Sequence, residues 1–184
     1  MQKKKLGQLF AGLALLSALV ACVTTYVPPV GGNTVQLTIQ PSVLAGRSFR
    51  LNLFQSPLSC AGPMTIMHGD GPTNKHTTRL QANVLNTMSL EGFRSGSTCN
   101  VNFSFVPKAG RSYLLDASLD ESGCLAIVYD VTEAGKPRFE ESLLFRNING
   151  KQCVPLSESK RMQASKANSP KSSLDDFKDL LPAR

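Results

Sequence analysis

Tryptophan is absent from this sequence, and nine Phe and three Tyr supply all of its aromatic surface. A single-stranded nucleic-acid binder needs stacking aromatics interleaved with cations. No such interleaving occurs, so nucleic acid is not an expected partner. Histidine is equally scarce: His68 and His76 are the only two, which leaves little material for acid–base or metal chemistry. Long apolar runs are missing as well. The longest, residues 6–21, has 16 positions and is interrupted by Gln8 and Ser17, short of the roughly 20 residues a spanning helix requires. No phosphate-cradling GxxxxGK[ST] loop is present. A Gly-x-Ser-x-Gly nucleophile elbow is approached only by Arg94-Ser95-Gly96-Ser97, which lacks the flanking glycines.

Acidic residues are also in the minority, 13 against 20 Lys plus Arg, for a net charge of +7. Lys3, Lys4 and Lys5 contribute three of these charges ahead of the apolar run. A charged start, a short apolar stretch and small residues at its end are the outline of a cleavable export signal over residues 1–21, whose loss leaves about +4. Several of the remaining cations fall in the tail, where they exert a mild pull toward anionic headgroups.

Leu19-Val20-Ala21-Cys22 resembles the lipobox of bacterial lipoproteins. The resemblance covers only the first 22 residues. It implies cleavage between Ala21 and Cys22, thioether attachment of diacylglycerol to Cys22 and acylation, palmitate included, of the new amino group. Several acyl chains hold a protein stably where one does so marginally. Val23 rather than Asp after the cysteine implies, by the same resemblance, an outer-membrane address facing the periplasm. Residues 22–33, with Pro28-Pro29 and Gly31-Gly32, make a poor helix or strand and are expected to form a flexible lipidated tether.

With Cys22 spent on lipid, Cys60, Cys99, Cys124 and Cys153 remain. An even number in an exported chain implies two disulfides. Three pairings are possible, and Cys60–Cys99 with Cys124–Cys153 is preferred because it joins neighbouring strands without nesting. No two cysteines stand at the roughly two-to-four-residue spacing of structural zinc.

Period-two alternation recurs from residue 34 onward. Val35, Leu37 and Ile39 alternate with Gln36, Thr38 and Gln40, and Phe49, Leu51 and Leu53 with Arg50 and Asn52. Cys99, Val101, Phe103 and Phe105 line one face of a further strand, and Tyr113, Leu115 and Ala117 another. Residues 124–131 are almost wholly apolar, as a strand buried on both sides would be. Residues 77–84, 86–93 and 139–145 complete the set. The expected fold is all-β: an antiparallel β-sandwich of about seven or eight strands over residues 34–156, of immunoglobulin-like or transthyretin-like size. A small β-barrel is the alternative.

Residues 157–184 are rich in Ser, Lys, Ala and Asn and are expected to be a disordered basic tail. Leu174, Phe177, Leu180 and Leu181 suit a short amphipathic helix over 173–181, capped by Ser173. Both histidines and Asp70 fall in one Gly-rich stretch, residues 68–76, read as an exposed, mobile loop. His68, Asp70 and His76 are therefore the alternative metal-binding or metal-assisted hydrolase site. Glu133, Glu140 and Glu141 read as solvated strand faces. No catalytic residue and no cofactor is expected. The chain reads as a non-enzymatic, lipid-anchored cell-envelope protein, tied to the membrane through Cys22 and binding or assembling with another envelope component, protein or glycan. Small-ligand binding is a further alternative.

Overall fold

A computed structural model of the chain describes residues 24–43, 45–94, 96–120, 123–149 and 152–161. The expected export signal, Cys22 and the expected helix at 173–181 lie outside the described residues. Eight strands carry the fold: β1 (Thr34–Val43), β2 (Ser48–Ser56), β3 (Ala61–Asp70), β4 (His76–Gln81), β5 (Asn86–Arg94), β6 (Ser97–Phe105), β7 (Ser112–Asp120) and β8 (Gly123–Asp130). Five short ones follow: β9 (Arg138–Phe139), β10 (Leu144–Arg146), β11 (Ile148–Asn149), β12 (Gln152–Cys153) and β13 (Lys160–Arg161). They build an antiparallel β-sandwich. One sheet runs β4-β1-β7-β8-β9 and the other β13-β10-β6-β5-β2-β3, with β11-β12 a separate ribbon. β1 and β7 are the exception, pairing in parallel.

Alternation places the core where it was expected. Leu37 and Ile39 of β1 face Leu51, Leu90 and Phe103 of the opposite sheet, with Tyr113, Leu115 and Val128 completing a single buried cluster. Phe105 and Tyr113 meet with ring centroids 5.6 Å apart, within the favourable range for tilted aromatic pairs. The Tyr113 hydroxyl accepts the Lys108 N–H at 2.8 Å, so the buried ring keeps its polar end satisfied. On β8, Ala126, Ile127 and Val128 are all buried.

The preferred disulfide pairing is overturned. Cys99 bonds Cys124 and Cys60 bonds Cys153. Avoiding nested loops was the wrong guide: the 99–124 loop lies inside the 60–153 loop, and β6 and β8 belong to different sheets, with their cysteines facing each other across the sandwich. Gly92 makes that crossing feasible: a Cβ there would lie 2.7 Å from the Cys99 sulfur and 2.3 Å from Leu119 Cδ2. The other bridge ties the β2–β3 turn to the C-terminal segment.

Three boundaries also differ from expectation. Residues 139–145 do not form one strand: β9 joins one sheet and β10 the other, with a corner between them. Glu140, expected at a solvated face, is buried at that corner and accepts the Ser142 N–H and hydroxyl at 2.9 and 2.7 Å. At the start of the expected tether, Thr25 bridges Thr65 and the Tyr26 hydroxyl donates to the Arg79 carbonyl at 2.7 Å. At the start of the expected disordered tail, Ser157 lies in a 3-10 turn (Leu156–Glu158) and β13 pairs with β10.

The outward side of the six-stranded sheet carries a polar row. Register aligns Thr65, Asn52, Ser89, Asn102 and Arg146 directly across five strands. Thr65 donates to Asn52 Oδ1 at 3.0 Å, and Asn52 Nδ2 donates to Ser89 Oγ at 3.3 Å. Arg146, 4% exposed, ends the row. Its guanidinium donates to the carbonyls of Pro57, Leu58 and Val154 and to Ser104 Oγ, at 3.4, 3.0, 2.7 and 3.1 Å.

Two outcomes are expected. Non-reducing peptide mapping should return Cys60–Cys153 and Cys99–Cys124; a Cys60–Cys99 peptide would overturn the topology. The Cys60 bridge spans 93 residues and the Cys99 bridge 25, so on chain entropy its double Ala variant should lose about 1 kcal/mol more in denaturant unfolding. Arg146→Met removes the donor to the Leu58 and Val154 carbonyls, while Pro57 keeps the Thr87 hydroxyl, and should lower stability by about 3 kcal/mol. Arg146→Lys should recover only part, because one ammonium does not reproduce the guanidinium fork; full recovery in urea midpoints would contradict this.

Candidate functional site

The β7–β8 hairpin opens at the register pair Tyr113–Asp130. Beyond it, the chain turns through 132–137 and returns as β9 beside β8, with Arg138 opposite Asp130 and Phe139 opposite Tyr129. This return gathers charged residues that are distant in sequence around a cleft of about 550 Å³. Arg111 comes from the turn before β7, Asp130 from the end of β8, and Glu133, Lys136 and Arg138 from the 132–138 segment.

Asp130 anchors the group. One carboxylate oxygen accepts the Thr132 N–H at 3.0 Å and its hydroxyl at 2.6 Å, and the other pairs with Arg111. Thr132 Oγ1 in turn accepts the Ser112 N–H at 3.0 Å, closing the hairpin end. Burial pushes the Asp130 carboxyl upward, but the Thr132 hydrogen bonds and Arg111 outweigh it, so its pKa lies below the ordinary carboxylate value. Glu133 sits in the open part of the cleft, bonded to Lys136 and to Arg138, the latter at 3.0 Å. Its pKa is lowered first by the Lys136 hydrogen bond.

The cleft therefore holds three cations and two carboxylates, with Lys136 and Arg138 largely exposed. Exposed pairs of this kind are held weakly, so an incoming charged group exchanges partners at small cost. One position along both strands, the Tyr129 and Phe139 rings stack with centroids 4.9 Å apart, and Phe139 is 48% exposed. Exposed aromatics beside arginine are the residue types in which interface hot spots are enriched.

His68 and Asp70 do not lie in a loop. Both are on edge strand β3, opposite Arg50 and Ser48, whereas His76 opens β4 in the other sheet. Only residues 71–75 connect the two strands, and both histidines are exposed. Among the described residues, no three His, Cys, Asp or Glu side chains gather closely enough to hold a metal ion. A second cleft, about 480 Å³, adjoins Asp70 and Arg47 but takes in neither histidine. The Gly-rich composition signalled a turn and hid the strand that precedes it.

In the sequence, Asp130 reads as part of the apolar strand 124–131 and Lys136 as a turn residue, and Arg111 and Arg138 stand in no motif. The available signal was the hairpin itself: residues just outside each end of a two-strand pair must meet, and here those ends carry opposite charges.

Fold and cleft together define a disulfide-stapled β-sandwich with a charged cleft at one end and an aromatic pair beside it. No family model matches the chain, and no curated protein matches it.

The lowered Asp130 pKa has a pH signature. The carboxylate stabilises the fold fully above the unfolded value near about pH 4, and this contribution is lost as pH falls through the lower folded value. Thermal unfolding of wild type and Asp130→Asn should thus differ at neutral pH and converge in acid. A gap that persists unchanged to about pH 2 would refute the assignment.

Proposed function

We propose that the chain is a lipid-anchored protein of the bacterial cell envelope, held at the outer membrane through Cys22 on the periplasmic side. Its sandwich binds another envelope protein through the β8–β9 corner. The observation that carries the binding half is Phe139, 48% exposed and packed on half-buried Tyr129, beside a cleft whose outer cations Lys136 and Arg138 are paired with exposed Glu133. Aromatic surface supplies desolvation energy, and rim charges select the partner and speed encounter. Such corners bind through loops on a rigid scaffold, as sandwiches commonly do. β9 is also an edge strand of two residues, short enough to resist indiscriminate pairing yet open to one added strand.

Two measurements separate the halves. Cys22→Ser should move the protein from the membrane to the soluble fraction and remove the acyl mass from its N-terminal peptide; unchanged partition would sink the anchor. A photocrosslinking residue at Phe139 should give a discrete in-cell adduct that a residue at exposed Thr98 does not, and Lys136→Glu should diminish it. Equal adducts from both positions would sink the binding surface.

A further inference from the structure

Resting on the lipid anchor at Cys22, we propose that the sandwich docks edge-on against the bilayer, with its β3–β4 edge apposed to the phospholipid headgroups. The chain after the anchor has almost no slack. Thr24 O accepts the Thr65 N–H at 2.8 Å, and the Tyr26 N–H donates to Thr65 O at 2.9 Å. These bonds add Thr24–Tyr26 to β3 as a parallel partner. The Tyr26 hydroxyl reaches across to the Arg79 carbonyl of β4, and its ring packs against the core. The segment is therefore fastened to both sheets on one side of the sandwich.

Only Val23 stands between Cys22 and Thr24, and two residue steps span at most about 7 Å. A free tether of residues 22–33 would instead have an r.m.s. reach of about 19 Å and would let any face of the domain meet the membrane. With the pin in place, the edge beside Thr65 and Arg79 stays next to the acylated residue. Opposite it, β9 lies four strand positions from β4, about 19 Å at ordinary strand spacing.

The near edge also has suitable chemistry. Val27 and Val30, directly after the pin, are 78% and 94% exposed, the two most exposed large apolar side chains among the described residues. Arg79, Lys75 and His76 are exposed on β4 and the turn before it. Apolar side chains beside cations suit the boundary between acyl chains and anionic headgroups.

The natural chain has no Trp, so a single introduced Trp reports without background. Full-length acylated protein carrying Val27→Trp or Arg79→Trp is reconstituted in phosphatidylethanolamine–phosphatidylglycerol vesicles containing a nitroxide-headgroup lipid. Leu125→Trp and Phe139→Trp serve as far-edge reporters. Quenching should be several-fold stronger at the near positions. Inserting a long Gly/Ser segment between Val23 and Thr24 should erase that contrast while the protein still floats with the vesicles. Flotation with a confirmed acyl mass but equal quenching at all four positions overturns the docking alone. No acyl mass and no flotation overturns the anchor, and the docking with it.

Discussion

A buried guanidinium that finds only neutral oxygens organises the C-terminal third of this fold. Among the described residues, Arg146 bonds three carbonyls and a hydroxyl, and burial lowers its pKa. Withdrawing a cation from water costs several kcal/mol, so its role is positional: one guanidinium holds three separate segments to the same point. Those acceptors come from the β2–β3 turn, strand β6 and the segment after β12. The same turn and segment are joined covalently by Cys60–Cys153. Arginine and disulfide thus fix β10 against β6, and β10 fixes the far side of the corner from which β9 departs.

The corner is where the two sheets exchange chain. β9 belongs with β8 and β10 with β6, so four residues must cross the sandwich edge. Glu140 and Ser142 close that crossing. Ser142 donates its N–H and hydroxyl to the carboxylate, and its oxygen accepts the Val106 N–H at 2.9 Å. With the crossing fixed on one side and Asp130 locked by Thr132 and Arg111 on the other, the 132–138 segment holds its charges around the cleft.

Much of this was legible in the sequence. Alternation identified β1, β2, β6 and β7, because a strand with one face in the core must obey a period of two, and the apolar run of 124–131 identified β8. Alternation failed at edge strand β3. β3 carries Gly62, Pro63 and Gly69, a composition that signals turns; an edge strand tolerates it because one side owes no ladder hydrogen bonds. It failed also at residues 139–145, where apolar spacing continues through a change of sheet. The Cys99–Cys124 bridge was not legible because it depends on which strands face each other across the sandwich, and a periodicity shared by every strand carries no information about that order. The cleft lies within one sheet, and its signal was the pairing of the β7–β8 hairpin ends, not periodicity.

The two ends of the functional proposal fit one geometry. The N-terminal pin lies on the β3–β4 side, and the charged cleft and aromatic pair lie at β8–β9, at the other end of the order β4-β1-β7-β8-β9. The sheet's five strands put the pinned edge and the cleft about 19 Å apart, beyond the screening length of about 8 Å at physiological salt. Anionic headgroups at the near edge therefore exert little pull on Arg111, Lys136 and Arg138. In the proposed arrangement those side chains face the aqueous space, where a partner and not the membrane would compete for their carboxylates. Had the chain been pinned at β9 instead, lipid phosphates would have occupied the same cations. Placing the pin at the opposite edge keeps the cleft available to a second macromolecule.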